Sequence, residues 1–450
     1  MMTRRSWGGL SAVLLTLGLI AAGCGSSDDS DGGGSDTTTT ASGSPASTST
    51  PTDTGTGEDE VADATTTAAP DDANTGAADE SLDPVVIGLL NQENVPGLSF
   101  PEARESVEAI AEYINAERGG IDGHPVVIES CVNASAEETQ SCAQELASTE
   151  GIHAITLGVN IFTSGFDMYG TFGDIPVVGG TPLFPGDFEA PTARYFYGGS
   201  LSVFSAMADF VANDLGAKSV AILQQDGPAG AAALAPIEQV FALTGTEMEV
   251  IILPTEGGDA TAPVTEAQGA DAIMMLGSKD TCGPVIQAVD LLGIPKDTVV
   301  HTGTCNDDEV IGAVGDLAVG SYFHTTGYQV RATDAPEDKR AESAEREAAF
   351  DQFAPDIARG AFANVGAQTM FNIEGLFEEI GFENLDAETI FATMDDGTPR
   401  PSWGAPDYTC PALPEYPAVC GADNFFPQLQ EDLSVTLGEP VNGLATIAAG

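Results

Sequence analysis

The chain has 450 residues, 69 of them acidic and 14 basic, for a formal net charge of −55 at pH 7. No basic stripe exists to neutralise phosphates, which excludes nucleic acid as a partner. Acid in such excess also keeps a protein soluble at high salt, and so fits a saline habitat.

The N-terminus places Arg4 and Arg5 before a short apolar stretch, Leu10–Ala22, and then Gly23-Cys24. A basic start, an apolar run too short to span a bilayer, and small residues before a cut describe an export signal over residues 1–23. Cys24 directly after Ala21-Ala22-Gly23 reads as a lipobox, in which the cysteine is lipidated and becomes the first residue of the mature chain. From Gly25 to Asp83 there is no Lys, Arg or aromatic residue. Such a segment buries too little apolar area to offset its ordering entropy. Residues 24–83 are therefore expected to form a disordered, extended acidic tether that holds a folded domain off a membrane.

The folded part opens on Val85–Leu90, an unbroken apolar run suited to a strand buried on both faces. A loop of about ten residues follows. Ser99 and Glu102 then form a capping-box pattern, with Val107, Ile110, Ala111 and Ile114 on one helical face. Gly119-Gly120 and Gly123 make a turn before a second strand at Val126–Glu129. This is a βαβ unit, and loops at the carboxyl ends of parallel strands are where such folds bind ligands.

The stretch Ile114-Asn115-Ala116-Glu117-Arg118-Gly119-Gly120-Ile121-Asp122-Gly123-His124-Pro125-Val126 resembles the signature of branched-chain amino-acid (leucine)-binding proteins, solute receptors of bacterial ABC importers. The resemblance runs more loosely to about residue 440. It implies an α/β fold of two Rossmann-like lobes, the type I periplasmic binding protein architecture, joined by three hinge crossings. It also implies hinge closure on a small ligand, ABC permease subunits as partners, no cofactor, and a place at the outer face of the cytoplasmic membrane.

Further strand-like runs fall at Ile152–Leu157, Ile175–Val178, Ser219–Leu223, Glu249–Leu253, Asp271–Leu276, Thr298–His301 and Gly320–His324, with helical patterns between them. Alternation of this kind predicts parallel, doubly wound sheets, too many strands for one half-fold. Helix-like segments at Ala341–Phe353 and Ala361–Ile380 return to the first lobe. Carried over from the family, the crossings fall near Tyr195–Gly199, Thr325–Tyr328 and Asp395–Thr398. Lobe one is then 84–196 with 328–395, and lobe two 197–327 with 396–440. The Pro-, Gly- and aromatic-rich stretch Pro399–Pro427 reads as an irregular insertion on lobe two.

Of seven cysteines, Cys24 belongs to the lipobox. Six cysteines in an exported chain favour disulfides but permit 15 pairings. Local pairing is the economical choice: Cys131–Cys142, Cys282–Cys305 and Cys410–Cys420. There is no CxxC, and the four histidines are scattered, which argues against a metal site.

The ligand candidates lie on loops after strands. Thr163 and Ser164 follow Ile152–Leu157, where the family starts a helix whose hydroxyls and N–H groups grip a carboxylate. Thr181 follows Ile175–Val178 and matches a family threonine that touches the ligand. Phe100 offers an apolar wall from the first loop. In lobe two, Asp226 sits in the loop where relatives place a tyrosine, and this chain has Pro228 or Ala229 instead. Relatives present an acid to the ligand's amine near Thr302–Gly303, where no carboxylate stands, so Thr304 and Asp307 are the candidates in that loop. A buried ammonium needs a carboxylate partner. The expected ligand is thus an amino acid paired by Asp226 or Asp307, an amide, or a short organic acid. A sensor on the same fold is the alternative. Enzymatic chemistry is disfavoured because no GxSxG, HExxH, Walker A or GxGxxG pattern occurs.

Overall fold

A computed structural model describes residues 76–450 apart from 96–97, 164–165, 226 and 255–257. The export signal, Cys24 and nearly all of the expected tether lie outside the described residues.

The first sheet is built of β1 (Val85–Gln92), β2 (Val126–Asn133), β3 (Ile152–Leu157), β4 (Val177–Gly180) and β5 (Ala193–Arg194), all parallel, in the order β2-β1-β3-β4-β5. The second holds β6 (Ser219–Gln225), β7 (Glu247–Leu253), β8 (Ala272–Leu276), β9 (Val299–His301), β10 (Tyr322–Phe323), β11 (Gln428–Leu429) and β12 (Val435–Thr436). Its order is β12-β11-β10-β9-β8-β6-β7, parallel except for β11, which pairs antiparallel with both β10 and β12 near one edge. Both orders reverse beside the first strand of their sheet, the switch point at which open α/β sheets leave a crevice for ligands.

The apolar run that predicted β1 is buried because the strand is central: Val85, Ile87, Leu89 and Leu90 are all fully enclosed. One face carries helices Pro101–Tyr113 and Ala361–Ile380, whose Val107, Ile110, Ala367, Met370 and Phe371 share a core with Ile87 and Leu89. These helices approach closely at Gly366, where an added Cβ would lie 2.0 Å from Ser106 Oγ. The first helix departs from expectation at its start. Pro101 occupies the first turn, Phe100 is the cap residue, and no side chain caps it. Proline has no N–H to satisfy and a φ already set for a helix. The Ser99 hydroxyl is used elsewhere, accepting from the Asn94 N–H at 3.0 Å.

All three disulfides, Cys131–Cys142, Cys282–Cys305 and Cys410–Cys420, are formed. The crossings between lobes differ from those expected. Ala332 and Ala335 pack in the core of the second lobe, so the second crossing comes near helix Glu337–Phe353 rather than at Thr325–Tyr328. The third comes some 25 residues later than Asp395–Thr398. Through Val419 the stretch lies on lobe one: the Ser402 hydroxyl accepts from Gln368 and Asn372, Trp403 stacks on Phe371 at 4.0 Å, and Tyr408, Cys410 and Cys420 join the first core. Backbone bonds then bracket Tyr195, whose N–H donates to Ala418 and whose carbonyl accepts from Cys420. Only from Asn424 and Phe425 does the chain belong to lobe two, pairing with Val441 and Thr325. The insertion thus straps the hinge instead of decorating lobe two.

Candidate ligand-binding cleft

The carboxyl end of β1 sets the cleft's floor through two carboxamides. Asn91 Oδ1 accepts from the Val159 N–H at 3.0 Å, and its Nδ2 donates to the Phe100 carbonyl at 2.8 Å. Gln92 does the same one residue on, accepting from Ile161 and donating to Leu98. Each side chain therefore ties the first loop to the segment after β3. Phe100 lands against Phe362, edge-on at 5.1 Å between ring centres, so it forms an aromatic wall with the start of helix Ala361–Ile380.

Beside this wall a crevice opens between the ends of β3 and β4 and the two helices, lined by Thr156, Gly158, Gly180, Thr181, Phe362 and Thr369. Gly180 turns the chain here with φ +106°, and an added Cβ would strike the Leu157 carbonyl at 2.1 Å. That turn lets the Thr181 N–H donate to Leu157 O at 3.1 Å and sets the threonine at the crevice. Three threonines thus line the crevice, of which only Thr181 was singled out from sequence. Thr156 is hidden in an otherwise apolar strand, and Thr369 reaches the crevice only because its helix folds back onto lobe one.

Thr163 stands elsewhere than expected. It lies in an irregular segment, because the next helix starts at Met168 with Asp167 as its cap, the carboxylate accepting from the Gly170 N–H at 2.8 Å. A carboxylate cap competes well for a helix N-terminus, so Thr163 has no helix end on which to grip an anion. Ser164 and Asp226 lie outside the described residues.

Lobe two presents the segment after β9. Thr304 donates its hydroxyl to the Gly277 carbonyl at 2.6 Å, which spends it internally. Asp307 caps helix Asp308–Ala318 through Oδ1, which also lies 3.0 Å from Lys279 Nζ. Its Oδ2 lies against Gly360 of lobe one. Across the same seam stands Glu102, whose carboxyl is pushed above its ordinary range by burial, with Lys279 opposing the shift and Asp307 adding to it. Glu102 and Lys279 are cleft residues that sequence reasoning missed; each follows a strand by a loop, and that position was their only signal.

Among the described residues, six buried side-chain atoms find no hydrogen-bond partner: Thr156 Oγ1, Gln224 Oε1, His301 Nδ1, Asn306 Nδ2, Gln329 Oε1 and Arg331 Nη1. Every one sits at the carboxyl end of a strand or in the segment that follows it. Buried polar groups are nearly always paired, so such a group of atoms requires an explanation.

The whole-chain comparison agrees with this topology. The model of the family described as "Periplasmic binding protein" matches residues 84–407. The chain belongs to that family. Among solved structures it is similar to the leucine-binding protein LivK of Thermotoga maritima, at 15% identity and TM-score 0.59, covering 80% of this chain and 99% of that one. An ABC transporter substrate-binding protein from Sphaerobacter thermophilus reaches TM-score 0.65 at 16% identity, covering 80% and 98%. A fatty acid ABC transporter substrate-binding protein from Thermomonospora curvata gives 0.63 at 12%, covering 85% and 97%. No curated protein sequence matches the chain. In this periplasmic binding protein the crevice encloses only about 10 Å³, room for about one water molecule. A metabolite does not fit the crevice as it stands.

Proposed function

We propose that this periplasmic binding protein is an extracytoplasmic solute receptor, anchored through lipid on Cys24, that closes its lobes on a small ligand and hands it unchanged to an ABC permease. The observation that supports the binding step is the gathering of unpartnered buried polar atoms at strand carboxyl ends and in the segments after them, with Thr156 among the residues that line the crevice. A ligand supplies what those atoms lack, and closure of two lobes is the motion that lets it do so. Thr181, with Thr156 and Thr369 beside it, forms the polar part of the lobe-one site, and Phe100 and Phe362 its apolar wall. Asp307 is half committed to its helix and Lys279, which leaves Oδ2 for a ligand amine. The ligand class is an amino acid, an amide or a short organic acid.

A thermal-shift screen of the full chain against branched-chain amino acids, their amides and short-chain acids tests the reading. One class should raise the melting temperature saturably and be recovered unchanged. Thr181→Ala should weaken that binding by at least about 1 kcal/mol, the worth of a hydrogen bond in a closed cleft. Hydrolysis or oxidation of a bound solute would refute the receptor reading, and an unchanged affinity would remove Thr181 from the site.

A further inference from the structure

Two of the unpartnered atoms belong to one hydrogen-bonded unit on lobe two. Arg331 Nη2 donates to Asn306 Oδ1 at 2.8 Å. A guanidinium only donates, so Asn306 must offer its oxygen to Arg331, and its amide nitrogen is thereby turned away as a free donor. Asn306 is 6% exposed, and both its Nδ2 and Arg331 Nη1 are buried without a partner. The residue next to Asn306 is Asp307, whose Oδ2 lies against Gly360 of lobe one, so this segment of the chain runs along the seam between lobes.

The charges around Arg331 leave it incompletely matched. Asp308 approaches only to 4.0 Å and is largely exposed, while Asp307 is held by Lys279. Burial lowers the guanidinium's pKa, with Asp308 opposing the shift only in part. A cation taken out of water with one edge unpartnered is costly, and removing that cost requires an anion. In a chain of net charge −55, an arginine whose buried edge lacks an acid partner is a marked exception to the surroundings.

We infer that Arg331 and Asn306 form a carboxylate subsite on lobe two, which makes the solute of the proposed receptor a carboxylate rather than a neutral amide. The inference rests on the receptor reading and narrows its substrate class. Two donors in fixed relation suit the two oxygens of a carboxylate, and charge-assisted bonds of this kind are among the strong ones.

The test uses the full chain and matched probes: L-leucine, L-isoleucine, octanoate and 3,4-dihydroxybenzoate, each against its amide. At least one acid should raise the melting temperature saturably while its amide does not. Arg331→Gln should weaken that acid at least tenfold. Asn306→Asp keeps the shape and the oxygen that Arg331 contacts, but satisfies the guanidinium's charge and removes the free donor. It should fold normally and show the same loss. Retention of acid affinity within twofold in both variants overturns the subsite, as does binding of amides in preference to acids, and either result leaves the receptor reading intact. Failure of every acid and amide to bind overturns both.

Discussion

Two histidines make stability pH-dependent in a defined direction. His301 is fully enclosed, stacked on Phe323 at 4.8 Å, and burial pushes its pKa down from 6.5 to about 4. His324 is pushed to about 4 by burial too, against the opposing hydrogen bond to Asn424. The folded state binds fewer protons than the unfolded chain between those values, so this stability is complete above about pH 6.5 and lost as pH falls toward 4. Each histidine withdraws up to about 1.4 kcal/mol per pH unit across that window. Glu374 acts oppositely. Burial raises its carboxyl from 4.5 to about 7 despite the Arg118 ion pair, so its contribution falls as pH rises through that range. His301→Phe isolates the first effect: the urea stability of the variant relative to the natural chain should improve by about 1 kcal/mol per unit as pH drops from 6 to 4.5. A difference that stays constant with pH would show that His301 keeps an ordinary pKa.

At the scale of elements, the Cys282–Cys305 disulfide holds helix Lys279–Leu291 to the Gly303–Cys305 turn, and with them Lys279, Thr304 and Asp307. Both cysteines are fully buried. Replacing both by alanine should cost about 2–4 kcal/mol in denaturant unfolding, as expected for a closed loop of this size; a loss below about 0.5 kcal/mol would mean that packing alone fixes the turn. Residues close in sequence were within reach of local reasoning, and all three pairings were legible for that reason. So were β3 and helix Ala361–Ile380, long periodic segments found with the expected bounds. The two-residue strands β5, β11 and β12 carry too little pattern for alternation to register. The lobe of Pro399–Pro427 is decided by distant contacts, Ser402 with Asn372 and Ala418 with Tyr195, and nothing within the stretch encodes them. The site divides in the same way. Thr181 follows a strand in a small-residue loop and could be named, while Thr156 and Thr369 become neighbours in the crevice only after folding.

For the molecule as a whole, the proposed function requires the lobes to part and close, and the crevice as it stands is far below the roughly 300 Å³ that a small-molecule site occupies. The seam offers a direct way to test this. A Cβ built on Gly303 of lobe two would lie 3.5 Å from the Cβ of Ala361 in lobe one. That separation is within the range found across disulfides, about 3.5–4.5 Å. The only tight neighbour of the new Cβ is His324 Nδ1 at 3.0 Å, which must yield by a few tenths of an ångström. The double variant Gly303→Cys, Ala361→Cys should therefore oxidise to a chain whose lobes are locked together. Any solute that stabilises the natural protein should fail to bind the oxidised form and should bind again once the new bond is reduced, with the Cys282–Cys305 pair protected by its burial. A locked chain that still binds at natural affinity would place the ligand outside the seam.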